Sequence, residues 1–215
     1  NFEAAFTGTP AAPPGWTQSR VVLIGDGNPE APSSSGEKDW RQNTNTGPNT
    51  WTTNNGSNVP AAAVSGTNAL FVEDVLWSLT NAFGSRRIET PVVNLGTSTS
   101  PYVRFWLYYG SPSSSVNLRV VASNDGGATW NSIMMVPPNA TTTLFANTTP
   151  FQRINVKIPA AYLTANSKFG LEISNTFGSW NAFIDDFTVE EFTPTVITSA
   201  ATGNWSAPAT WVGGV

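Results

Sequence analysis

VNLRVVASNDGGATWNSIMMV, residues 116–136, reads as two strands and the turn between them. The two-residue period of an extended chain puts Val116, Leu118, Val120 and Ala122 on one face, and apolar character resumes at Trp130 in WNSIMMV. The joining stretch SNDGGATW, 123–130, is rich in turn formers. Asp125 is placed to cap backbone amides, Gly126 and Gly127 to adopt positive φ, and Trp130 to pack beneath the loop. This segment is therefore an antiparallel hairpin with one apolar face.

The same period recurs on either side. In YVRFWLYY (102–109), Val103, Phe105, Leu107 and Tyr109 share a face opposite Arg104 and Trp106. FQRINVKI (151–158) turns Ile154, Val156 and Ile158 inward, KFGLEIS (168–174) does so with Phe169, Leu171 and Ile173, and AFIDDFTVEEF (182–192) closes the set. Earlier in the chain NFEAAF (1–6), VVLI (21–24), NALFV (68–72) and RRIETPVVNL (86–95) have strand character, and VEDVLWSLTNAF is compatible with a helical turn. From Gly25 to Val59 nearly every residue is a turn former, as in a functional or ligand-pinned loop. About ten strands with short connections predict an all-β fold, a two-sheet antiparallel β-sandwich of jelly-roll type.

Composition narrows the chemistry. The 215 residues include 14 Asp and Glu against 10 Lys and Arg, a net charge of −4 without any basic cluster, so a phosphate-binding surface for nucleic acid is not expected. With no histidine and no cysteine, imidazole bases, Ser-His-Asp triads, disulfides and thiolate metal sites are excluded, and a bound metal would need oxygen ligands. No apolar run approaches the roughly 20 residues that cross a bilayer. An opening on NFEAAF predicts a secreted or surface-exposed chain whose targeting segment has been removed.

SNDGGATW also matches Ser-x-Asp-x-Gly-x-Thr-Trp, the Asp-box that many bacterial sialidases carry in several copies. A sialidase needs such loops blade by blade around a propeller, an arginine cluster for the substrate carboxylate and a Tyr/Glu nucleophile pair. One Asp-box without a propeller-spaced repeat gives Ser123, Asp125, Gly127, Thr129 and Trp130 structural work in a turn.

The doubled aspartate in AFIDDFTV poses a sharper question. If Phe183, Phe187 and Val189 face the core, alternation puts Asp185 on that face and Asp186 opposite. A buried carboxylate must be neutralised, paired or bound to a cation, or be hydrogen-bonded to backbone amides at a strand end. With oxygen-bearing neighbours the expected cation is Ca²⁺.

NFE at the start, PPGW (13–16), KDW (38–40), TGPNT (46–50), the NAL strand, RRIETPVVNL, YVRFWLYY, NLRVVAS and AFIDDF follow one another in the order of MAM-type jelly rolls. The set resembles most closely their bacterial relatives, the cleaved-adhesin or choice-of-anchor modules of secreted Bacteroidetes-like multidomain proteins. The resemblance spans residues 1–192 and implies a calcium-stabilised, non-catalytic adhesion module, with the cation between Glu3 and Asp185, Asn68 and Asp39 as further candidate ligands, and backbone carbonyls completing the shell. Unlike animal MAM domains the chain has no disulfides, and alternation in NFEAAF sets Glu3 opposite Phe2 and Phe6, so a bulge is needed to aim it at Asp185. The tail, 193–215, resembles a linker and the opening of a further β-rich module, as in a piece of a longer protein.

Aromatic rings are the remaining functional signal. Trp16, Trp40, Trp51, Trp77, Trp106 and Trp180 include candidates for a sugar-stacking platform, with Trp40 and Trp51 in the polar loop expected to be the most exposed, although most Trp side chains in a sandwich pack its core or loops. The expected function is a non-catalytic interaction module whose partner is an extracellular protein or glycan; the alternative is a carbohydrate-binding accessory module of a secreted hydrolase. A carboxylate-only glycosidase needs two facing acids about 5 to 9.5 Å apart, and no pair in the sequence identifies itself.

Overall fold

The computed structural model describes residues 2–5, 7, 12–21, 41–45, 59–74, 85–110, 116–136, 150–175 and 180–191. Within them the chain forms ten strands: β1 (Thr17–Val21), β2 (Arg41–Thr44), β3 (Asn68–Asp74), β4 (Ser85–Glu89), β5 (Pro101–Gly110), β6 (Val116–Ser123), β7 (Asn131–Val136), β8 (Gln152–Lys157), β9 (Lys168–Asn175) and β10 (Trp180–Glu191). One sheet has the order β1-β4-β9-β6-β7 and the other β2-β3-β10-β5-β8, all neighbours antiparallel. Without β1 and β2, which extend one edge of each sheet, the remaining eight strands interleave between the sheets as two Greek keys do, which is the jelly roll.

Alternation explains what lies between the sheets. Val103, Phe105, Leu107 and Tyr109 from β5, Leu118, Val120 and Ala122 from β6, and Phe169, Leu171 and Ile173 from β9 form one buried cluster with Leu70, Ile88 and Ile184. Side chains of this size contribute about 1.5–3 kcal/mol each when fully buried, and they fix the register because a one-residue slip would turn every one of them to solvent. Trp16 closes one end of this core, edge-on to Phe2 at 6.0 Å and to Phe187 at 5.1 Å, with Phe187 stacked on Phe105.

Three expectations change. Within NFEAAF the described residues 2–5 join no ladder and lie outside the sheets, with Gln42 donating to the carbonyls of Phe2 and Ala4. A strand, β2, falls inside the stretch read as loop, pairing Arg41–Thr44 with Asn68–Phe71. In β10 the register against β5 shifts between Asp185 and Thr188, where Asp186 takes φ 48°. This bulge reverses the alternation. Ile184 and Ala182 before it, and Phe187 and Val189 after it, meet the core, whereas Phe183 belongs to a second cluster with Ala69, Phe71 and Tyr108. Asp185 lies opposite Trp106 in the ladder and so shares the outer face with Phe183, not the core face with Phe187 and Val189. The bulge expected at Glu3 lies in β10 instead.

Candidate functional site

Val59 and Ala63 pack on the Phe71–Phe183–Tyr108 cluster, so the segment leading into β3 crosses the outer face of the second sheet. A loop over a sheet face must satisfy its backbone amides without a ladder. Two carboxylates do so here. Asp185 Oδ2 accepts the N–H groups of Val64 (2.9 Å) and Ser65 (3.1 Å), and Asp185 Oδ1 accepts that of Asp186 (2.7 Å). On the far side of Gly66, Glu3 Oε1 accepts the N–H groups of Thr67 (3.0 Å) and Asn68 (2.8 Å), and Oε2 accepts the Thr67 hydroxyl and Asn68 Nδ2. Gly66 makes the turn at φ +62°. The Ser65 hydroxyl donates to Asp186 Oδ1 at 2.6 Å.

Three carboxylates thus hold one turn, and none of them has a lysine or arginine partner among the described residues. Asp185 is fully buried, and burial pushes its carboxyl above the ordinary 3.8, against the pull of the Ser65, Asp186 and Val64 amides and with the Asp186 charge adding to the rise. Among the described residues no group of three or more acidic, imidazole or thiolate side chains converges as a ligand set. Glu3 and Asn68 meet directly, and Asp185 reaches the same turn from β10. Asp39, Trp40 and Trp51 lie outside the described residues. Sequence reading missed Ser65, Gly66 and Asp186; the Ser-Gly-Thr-Asn run ahead of an apolar strand is the turn signal that marks the first two.

The Asp-box forms as expected. Ser123 Oγ donates to Asp125 Oδ1 and accepts the Gly127 N–H, while Asp125 accepts the N–H (3.0 Å) and the hydroxyl (2.6 Å) of Thr129. Gly126 and Gly127 have φ of +76° and +102°. Trp130 Nε1 donates to the Gly127 carbonyl, and the Arg87 guanidinium covers the ring at 4.4 Å with Lys168 at 5.8 Å. The Thr129 hydroxyl first, then the Thr129 amide and the Ser123 hydroxyl, hold the Asp125 carboxyl well below 3.8.

The two aspartates pull stability in opposite directions with pH. A depressed folded pKa gives stability that is present above the unfolded value and lost as pH falls through the folded one; a raised folded pKa gives stability that is full below the unfolded value and lost as pH rises through the folded one. Asp125→Asn is therefore expected to flatten the acid-side fall of the melting temperature below about pH 4, and Asp185→Asn to remove an opposing gain over the range above 3.8. Melting temperature against pH for both variants measures the two slopes.

Four further acids with described side chains are also engaged. Glu89 pairs with Arg87 and Lys168, Glu172 with Arg87 and Arg119, Glu190 with Arg104, and Glu191 accepts from Thr99 and Ser100. Glu89 and Glu172 share Arg87, which puts a cation between them where a glycosidase pair needs its substrate. Trp16 is committed to the core, and Trp130 to the arginine and lysine above it. Trp106 stands half-buried on the outer face of the second sheet.

No protein-family model matches the chain, and no curated protein matches it in sequence. Solved structures share its fold. The K1 cleaved-adhesin domain of Lys-gingipain from Porphyromonas gingivalis W83 superposes with a TM-score of 0.50 at 13% identity, over 85% of this chain and 94% of that one. A structure of carbohydrate-binding modules of the β-sandwich superfamily superposes at 0.50 and 12% identity, over 88% of this chain and 62% of that one. A cyclase from Fischerella sp. TAU, in complex with an indolyl butanone, superposes at 0.51 and 14% identity, over 85% and 88%. The jelly roll expected from the strand order is the fold of a cleaved-adhesin domain. The same fold carries an adhesin domain, a sugar binder and a catalyst, so function rests on the sites.

Proposed function

We propose that this jelly roll is a non-catalytic interaction module of a secreted or cell-surface protein, presenting a sheet face to an extracellular protein or glycan. The observation that carries the reading is the commitment of the acids: the eight whose side chains are described, Glu73 and Asp74 of β3 not among them, are each bonded to a backbone amide, a hydroxyl or a basic side chain, and the chain has no histidine or cysteine. Adhesin and carbohydrate-binding domains among the structures of like fold accord with it. The carbohydrate-binding alternative is favoured by one feature, the half-buried Trp106 ring on an outer sheet face. An array of glycans and extracellular proteins probed with the whole chain tests the reading. Saturable binding without turnover is expected, and product released from a bound glycan would overturn it. Trp40→Ala and Trp51→Ala, run on the same array, test the long loop.

Ca²⁺ belongs to the same proposal as a structural ion of the acidic turn. Its support is charge: Glu3, Asp185 and Asp186 gather on one turn without a basic partner among the described residues, and their oxygens are hard donors of the kind Ca²⁺ takes. Asp185 Oδ1, which accepts a single N–H, keeps acceptor capacity for a cation, whereas each acceptor position of Glu3 already has a donor. Asn68 would act through Glu3, and Asp39 is the remaining proposed ligand. Chelation is expected to lower the melting temperature by several degrees and Asp185→Ala to abolish that response. A melting temperature indifferent to chelator and to added Ca²⁺ would leave the amides and hydroxyls as the only partners of these carboxylates.

A further inference from the structure

On the outer face of the second sheet Val59, Ala63 and Phe151 pack over the Phe71–Phe183–Tyr108 cluster. Along β5 and the edge strand β8 the same face carries two cross-strand pairs of an aromatic and a basic residue, Trp106 opposite Arg153 and Tyr102 opposite Lys157. Both rings are half-buried and both cations exposed, and Arg104, on the same face between the two pairs and held by Glu190, has its guanidinium 5.7 Å from the Tyr102 centroid. Four residues of strand separate one pair from the next, about 13 Å.

The basic side chains that are described differ in their partners. Arg87, Arg119 and Lys168 on the other sheet are neutralised by Glu89 and Glu172, and Arg104 by Glu190. Arg153 and Lys157 have no carboxylate partner among the described residues, in a chain whose net charge is −4. The Arg153 guanidinium sits 5.9 Å from the Trp106 centroid, near the outer limit of about 6 Å for ring–cation attraction, unlike the 4.4 Å cover of Trp130 by Arg87. A flat ligand can therefore lie on the indole while the guanidinium reaches past its edge.

Resting on the interaction-module reading above, we infer that this face binds a uronate-rich polysaccharide along β5 and β8. Each ring takes the C–H face of a sugar, and the cation across the ladder takes that sugar's carboxylate, Arg153 by its planar fork and Lys157 as a point charge. Two such pairs in register fit a polymer whose acidic groups recur along its length; a single small anion would use only one.

Affinity electrophoresis and calorimetry of the whole chain with polygalacturonate, neutral galactan, dextran sulfate and duplex DNA test the inference. Polygalacturonate is expected to bind, more weakly at high salt, with Trp106→Ala and the double variant Arg153→Gln/Lys157→Gln each losing about tenfold or more at unchanged melting temperature. Met135→Ala, on the other sheet, is expected to change nothing. If galactan binds equally and the double variant is harmless, the acidic specificity falls while a glycan module remains. Dextran sulfate or DNA binding as tightly as polygalacturonate would reduce the face to a general polyanion surface and overturn the inference. So would binding that both variants leave intact, or no polysaccharide binding while the array finds another partner. A double variant that only aggregates more would assign the two charges to protecting the β8 edge.

Discussion

Asp185→Ala is expected to cost about 3–5 kcal/mol, a fall of roughly 10 °C in melting temperature for a chain of this size. The substitution removes the acceptor of three backbone amides, those of Val64, Ser65 and Asp186, at a fully buried site. Each buried amide left without a partner costs about 1–3 kcal/mol. Part of that is offset, because a desolvated carboxylate is also removed, and its raised pKa shows that burial works against the charge. Asp185→Asn separates the two effects. One amide oxygen still serves Val64 and Ser65, but its NH₂ then faces the Asp186 N–H, donor against donor, for a loss of about 1–2 kcal/mol. Denaturant titration of both variants should rank Ala well below Asn, and Asn below the parent. An Ala variant within 1 kcal/mol of the parent would mean that the 64–65 segment finds other acceptors, and if Ala does not fold, the Asn variant carries the comparison.

The parts of this fold that were legible in the sequence are those where a strand has a core face over its full length. Val103 to Tyr109, Leu118 to Ala122 and Phe169 to Ile173 alternate because each odd or even member meets the opposite sheet, and burial pattern and sequence pattern are there the same thing. Arg41–Thr44 was hidden because all four residues are polar: β2 is an edge strand whose Gln42 ties down the N-terminal segment and whose Thr44 hydroxyl donates to Asn68, so it contributes bonds and no apolar face. The Asp185 face was misread for a different reason. Alternation assumes an unbroken ladder, and a left-handed residue that is aspartate rather than glycine gives no warning in the sequence. The Asp-box was legible because the side-chain hydrogen bonds of Ser123, Asp125, Thr129 and Trp130 close within four residues of sequence. The turn at Gly66 was not, because Glu3 and Asp185 come to it from opposite ends of the chain.

Gly66→Ala is the second substitution expected to be severe, at about 3 kcal/mol, and its cost has two separable origins. At φ +62° a side chain is strained by about 1–2 kcal/mol. A methyl group there would also stand 2.3 Å from Glu3 Oε1 and 2.4 Å from Glu3 Cδ, an overlap that must displace the carboxylate from the amides of Thr67 and Asn68. Gly126 isolates the first origin, since it has a similar φ of +76° and nothing within 4 Å of an added Cβ; Gly126→Ala should cost only about 1 kcal/mol. Glu3→Ala isolates the second. Once the carboxylate is gone Gly66→Ala has nothing to collide with, so the double variant should lose about 1–2 kcal/mol less than the sum of the two single losses, the non-additivity of residues that share one contact. Unfolding free energies of the four proteins close the cycle. Additive losses, or a Gly66→Ala no worse than Gly126→Ala, would mean that Glu3 does not sit on this turn, and the charge that supports a cation there would fall to Asp185 and Asp186 alone.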